Sequence, residues 1–131
     1  MSDFFSGQSF FSNFLISLED QHQFARISGD VNPVHLDISF AKLHGYDRQL
    51  VYGGLLIAKL SHIFGTRAPG SHGICSSYSI NFHNPLLIDM EANLTVTIAN
   101  VSESTNSILM KHFIHHDQTL ISSGNAIGTL Y

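Results

Sequence analysis

The sequence predicts an α+β fold in which an antiparallel sheet wraps around one long central helix. Three observations carry this expectation. Four successive runs in the second half have the apolar/polar pattern of strands, clearest in the first two. One earlier segment, residues 51–66, is apolar on nearly all sides and must be enclosed over most of its circumference. No helical pattern follows residue 66, so helices do not alternate with strands as a doubly wound parallel sheet requires. The 131 residues suit a single domain over 1–131, with no repeat or low-complexity tract to divide it.

Taken in order, the elements begin with a strand at about residues 11–18, followed by irregular and short helical segments. Asp37 can cap a short helix over Ile38 to Leu43, and Gly45 is well placed to end it. From Val51 to Phe64 only Tyr52, Lys59, Ser61 and His62 carry polar groups. As a helix, Val51 to Thr66 would be about 24 Å long, comparable to a strand of a curved sheet. Gly65 and Ala68-Pro69-Gly70 stop it. In residues 74–82, Ile74, Tyr78, Ile80 and Phe82 share one parity against Ser77, Ser79 and Asn81. In 90–100, Met90, Ala92, Leu94, Val96 and Ile98 alternate with Glu91, Asn93, Thr95 and Thr97. Residues 107–116 and 119–130 read as two further strands, joined by a hairpin turn at His116-Asp117-Gln118.

Composition limits what the chain can do. Hydrophobic residues make up 44% and charged residues only 12%, about half the usual share. A surface so short of charge is most simply covered by a second copy, so a homodimer is expected. Net charge is −4 and the six basic residues are scattered, which argues against nucleic-acid binding. The single cysteine, Cys75, excludes an intramolecular disulfide, fits a reducing compartment, and has no paired base in sequence, so it reads as structural. The N-terminal stretch lacks a basic n-region and no run reaches 18 apolar residues, so neither a signal peptide nor a membrane span is expected. The cytoplasm is the expected location. His112, His115 and His116 suggest a metal cluster, but on a strand His115 faces away from the other two, and no metal site is expected.

The residues that could carry chemistry lie in the first half. Residues 30–35 read Asp-Val-Asn-Pro-Val-His, an acid and a base around an Asn-Pro turn. Pro33 fixes its own φ and biases Asn32 toward extended geometry, so Asp30 and His35 can be turned toward one point. Gly53 and Gly54 open the long helix, where backbone N–H groups lack intrahelical partners and the dipole is positive. Taken singly, Asp30 fits a turn residue, His35 a polar surface residue, and the glycines close helix packing.

Taken together they resemble a known family. Asp30-x-Asn32-Pro33-x-His35, Leu36-Asp37, Phe40-Ala41, the V-x-G-x-L-L helix start at 51–56, Pro69-Gly70 and Phe82-His83-Asn84-Pro85-Leu86 are similar to the MaoC-like dehydratases. Within that group the chain resembles the (R)-specific enoyl-CoA hydratases, which have the hot dog fold. The likeness covers roughly residues 15–100, and the rest by strand pattern only.

The resemblance implies an enzyme that interconverts trans-2-enoyl and (R)-3-hydroxyacyl thioesters, carried by coenzyme A or an acyl carrier protein. It implies that Asp30 and His35 hold a water and make both proton transfers, and that the Gly53 N–H binds the thioester oxyanion. Asn32, Tyr52, Gly54 and Ser61 are its substrate-side candidates, and no cofactor or metal is implied. Two positions depart from the pattern: Tyr52 stands where the family usually has His, and Gly54 where it most often has Met. Both border the helix start and bear on the shape of the acyl chain accepted. Ser61 matches a pocket-lining position, although a core serine bonding back to its helix is an equal reading. Two other functions compete: a hot dog thioesterase, which would not need the Asp/His pair, and a non-catalytic acyl-thioester-binding subunit.

Overall fold

The computed structural model describes residues 3–131. A strand over Ser9–Phe14 (β1) leads into a helix over Leu18–Ser28 (α1). The strand expected at about 11–18 is therefore shorter, and a helix takes its last residue. The cause is a capping box: the Asp20 N–H donates to Ser17 Oγ at 3.2 Å, and the Ser17 N–H donates to Asp20 Oδ2 at 2.9 Å. Glu19 and Asp20 in the first turn complement the helix dipole. Gly29 ends the helix at φ 77°, a left-handed conformation, and its N–H donates to the Ala25 carbonyl at 2.8 Å.

Two short helices follow, Pro33–Leu36 (α2) and Ile38–Leu43 (α3). Asp37 caps the second as the sequence predicts, accepting from the N–H groups of Ser39 and Phe40. The apolar helix runs over Gly53–Thr66 (α4). The remaining strands are Gly73–Phe82 (β2), Ala92–Ser102 (β3), Ser107–His116 (β4) and Thr119–Leu130 (β5). They form one antiparallel sheet with β1, in the order β1-β3-β4-β5-β2. Leu56, Leu60, Ile63 and Phe64 of α4 are buried in the same core as Leu94, Val96 and Ile98 of β3 and Ile108, Met110 and Ile114 of β4. This is the hot dog arrangement, a sheet closed over one apolar helix.

One strand departs from its predicted packing. The alternation of β2 is broken by a bulge between Cys75 and Ser77, where the register to β5 shifts. Ile74 is thereby separated from the face shared by Tyr78, Ile80 and Phe82. β2 is also an edge strand, and Ile74, Tyr78 and Phe82 are all about half exposed. Among the described residues no helix is long and apolar enough to cross a membrane.

Candidate active site

Three of the four α-helices carry a side-chain cap: Ser17 on α1, Asn32 on α2 and Asp37 on α3. The fourth does not. Tyr52 occupies the N-cap of α4 and offers only its carbonyl, which accepts from Leu55 and Leu56. The N–H groups of Gly53 and Gly54 donate to no acceptor among the described residues. Two directed donors at a positive helix end suit an incoming oxyanion. The glycines also have a packing reason. A Cβ on Gly53 would sit 2.8 Å from the Phe82 ring, and one on Gly54 would sit 2.2 Å from the Phe24 ring.

Asp30 follows directly from the left-handed stop at Gly29, so its loop leaves α1 at a fixed angle. Its N–H donates to Ser28 Oγ at 3.0 Å, and its own Oδ1 accepts from the Asn32 N–H at 3.0 Å. Asn32 in turn accepts from the Val34 N–H at 3.1 Å, which makes it the cap of α2. Pro33 sits in the first turn, where its missing N–H costs nothing. The second oxygen of Asp30 accepts nothing from the described residues, and the side chain is exposed.

His35 lies on α2, partly buried. Its Nδ1 is 2.8 Å from the Leu50 carbonyl oxygen. A carbonyl can only accept, so Nδ1 carries a proton, and in the neutral ring Nε2 is then the acceptor. The Leu50 carbonyl also accepts from Gln21 Nε2 at 2.8 Å. The same Gln21 nitrogen donates to the His35 carbonyl at 2.9 Å, and Gln21 Oε1 accepts from the Tyr52 N–H at 3.1 Å. Gln21 is fully buried. One amide therefore ties α1 to His35, Leu50 and the start of α4, and sequence reasoning did not identify it.

Tyr52 is 1% exposed. Its O–H donates to the Asp30 carbonyl at 2.5 Å, and its ring stacks on the His35 imidazole with centroids 4.1 Å apart at 27°. Phe24 also packs against the Tyr52 ring, with centroids 4.6 Å apart and the planes tilted by 43°. Burial, and secondarily the charge of Asp30, raise the Tyr52 pKa above its ordinary value of 10.0. The phenol thus stays protonated, and so a donor, at neutral pH.

Beside this cluster is a cavity of about 440 Å³ whose walls include Leu50, Gly53, Leu56, Phe82, His83 and Leu86. It exposes the open end of α4 to an apolar space, but neither Asp30 nor His35 lines it. A second cavity of about 610 Å³ lies behind Phe24, between α1, α4 and β1. Ser61 lines neither: it is exposed two turns further along α4, and its side chain makes no hydrogen bond among the described residues. Thus Asp30, Asn32, His35, Tyr52, Gly53 and Gly54 share one neighbourhood, and Ser61 stands apart. Cys75 is partly buried, and burial pushes its thiol up, away from nucleophilic use. His112 faces the core, with Nε2 3.4 Å from Ser122 Oγ.

The profile of the MaoC-like domain matches residues 11–119. The (R)-specific enoyl-CoA hydratase of Aeromonas caviae is 34% identical over 80 residues, which cover 61% of this chain and 60% of that protein. The mitochondrial 3-hydroxyacyl-[acyl-carrier-protein] dehydratase of Arabidopsis thaliana is 28% identical over 120 residues, covering 88% of this chain and 71% of that one. The crystal structure of the A. caviae (R)-hydratase involved in PHA biosynthesis superposes with a TM-score of 0.95 at 26% identity, covering 100% of both chains. An R-hydratase from Pseudomonas aeruginosa shares the fold, with a TM-score of 0.91 at 23% identity over 98% of this chain and 83% of that one.

Proposed function

The chain belongs to the MaoC-like domain family, and from that premise we propose that it is a hydro-lyase interconverting trans-2-enoyl and (R)-3-hydroxyacyl thioesters. The observation that carries the reading is the bond from His35 Nδ1 to the Leu50 carbonyl. It leaves Nε2 as the ring nitrogen with a free lone pair in the neutral imidazole, on α2, just after the loop that presents the free carboxylate oxygen of Asp30.

In the hydration direction, a water is held between Asp30 and His35. One proton leaves it for the base as its oxygen bonds to C3 of the alkene. The pair returns a proton to C2 on the same face, so the atoms of water are added whole and the pair is regenerated. The step is redox-neutral, and the thioester itself makes C2 able to accept and release the proton. Such acid–base help is typically worth about 10²–10⁴ in rate. Charge growing on the thioester oxygen is taken up by the Gly53 N–H, a contribution of about 3 kcal/mol by analogy with other oxyanion donors. The apolar cavity beside Gly53 suits a short acyl chain. The half-exposed apolar residues of the β2 edge support a homodimer, which would cover them. Coenzyme A and an acyl carrier protein both remain carriers compatible with the site.

Loss of the conjugated enoyl absorbance of crotonyl-CoA and longer trans-2-enoyl-CoAs, with formation of the 3-hydroxyacyl product, tests the reading. Activity abolished in Asp30→Asn and His35→Ala with the fold retained supports it. Release of free CoA without hydroxyacyl product would instead make the protein a thioesterase. Turnover restricted to carrier-protein substrates would assign the carrier.

A further inference from the structure

We infer that Tyr52 is a positioning residue that locks the Asp30–His35 segment into working geometry, through its O–H on the Asp30 carbonyl and its ring on the His35 imidazole. The inference rests on the proposed roles of Asp30 and His35, and it gives Tyr52 a task other than contact with substrate.

The geometry is specific. Asp30 and His35 lie at opposite ends of an exposed loop and one helical turn, held mostly by hydrogen bonds between near neighbours in sequence. Local bonds of that kind fix the turn but not its place against the body of the protein. Long-range bonds at each end do so, among them the Leu50 N–H on the Val34 carbonyl at 3.1 Å. At the His35 end, Gln21 and the Leu50 carbonyl hold the backbone and Nδ1. At the Asp30 end, the bond from Tyr52 O–H is the one long-range side-chain bond reaching it among the described residues, the other being the local bond to Ser28 Oγ. Tyr52 is also the residue whose N–H is held by Gln21 and whose carbonyl starts α4. It therefore sets both catalytic side chains against the same reference, the end of α4 that carries the Gly53 donor. Substrate contact is a poor account of Tyr52, because the side chain is almost wholly buried with its hydroxyl already engaged. The raised pKa is consistent with that hydroxyl acting as the donor at neutral pH.

Tyr52→Phe removes the hydroxyl and keeps the ring. The Asp30 carbonyl sits in an exposed residue and can turn to water, so global stability should barely change. The loop would lose its anchor. With trans-2-enoyl-CoA as substrate, kcat should fall by about tenfold to a hundredfold, as small misplacements of reacting groups do, with KM within about threefold of wild type. Amide hydrogen exchange over residues 29–35 should speed up, while β3 and β4 keep wild-type protection. Tyr52→Leu, which also removes the stack on His35, should lose more activity than Tyr52→Phe. Wild-type exchange over 29–35 in Tyr52→Phe would overturn the inference, whether or not the substrate is right. So would an unchanged kcat in an active enzyme, including a loss of efficiency that comes only from a rise in KM. A wild-type protein with no enoyl-thioester turnover would overturn the proposed reaction, while the exchange measurement would still decide the anchoring role.

Discussion

His35 Nδ1 and the carbonyl oxygen of Leu50 lie 2.8 Å apart, and this contact fixes which imidazole nitrogen is free. The tautomer can be separated from the structural role by one substitution. Asparagine places an amide nitrogen near the position of Nδ1 and nothing at Nε2. His35→Asn should keep the bond to Leu50 and a near wild-type melting temperature, yet lose about 10²–10⁴ in kcat. Comparable activity in the variant would remove His35 from the chemistry, and a collapse of stability would show its bond to Leu50 to be mainly structural.

Gln21 supports the same carbonyl from the other side. Its three hydrogen bonds go to backbone groups of His35, Leu50 and Tyr52, and no water reaches its side chain. Gln21→Leu keeps most of the volume but leaves two carbonyls and one N–H short of a partner. Unsatisfied buried groups cost about 1–3 kcal/mol each, partly recovered where Leu50 retains His35, so a net loss of about 2–4 kcal/mol is expected by urea denaturation. A change below about 0.5 kcal/mol would mean that the segment relaxes or admits water freely.

These two residues show where the sequence stops being informative. The four late strands, α3 and α4 are legible because period-2 alternation, a capping aspartate and an unbroken apolar run are local signals. α1 escapes that reading because LEDQHQFARIS buries only Gln21, a polar residue, so it shows no strong apolar stripe. Its usable signal was punctuation, the Ser17–Asp20 box before it and Gly29 after it. The Asp30–His35 pair is legible as a pattern within six residues. Gln21 is not, because its partners are 14, 29 and 31 positions away and are backbone groups, which carry no sequence signature. The role of Tyr52 is hidden for the same reason, and the bulge in β2 defeats a parity count that has no sight of β5.

Gly54 is coupled to Phe24. A Cβ at residue 54 would lie 2.2 Å from Phe24 Cζ, the far end of a side chain that also packs on Tyr52. Gly54→Ala should gain some helix propensity and lose more by displacing that ring, a net cost of about 1 kcal/mol. Phe24→Leu in the same chain shortens the obstacle. A double-mutant cycle should give a favourable coupling of about 1 kcal/mol between the substitutions. Strict additivity would show that the ring moves aside without cost, and that packing does not require glycine at residue 54.

His112 makes stability depend on pH without touching the proposed chemistry. It is 3% exposed in the core, and burial pushes its imidazole from the ordinary 6.5 down to about 4. In the unfolded chain the ring takes up a proton as pH falls through about 6.5, whereas in the folded chain it waits until about 4. Between those values the unfolded state binds more protons, so acidification favours unfolding. Below about 4 both states are protonated and this contribution stops growing. The full window is worth about 3 kcal/mol, all of it available above pH 6.5. The ring is tightly packed, since a Cβ on Gly124 would sit 2.9 Å from its Cε1, so Met is the fitting uncharged replacement. His112→Met should flatten the loss of unfolding free energy between pH 6.5 and 4, measured by urea titration at half-unit intervals. Carboxylate titration affects both proteins alike, so the difference between them isolates the imidazole. Parallel wild-type and variant curves across that window would mean that His112 is protonated in the folded core or reached by water there.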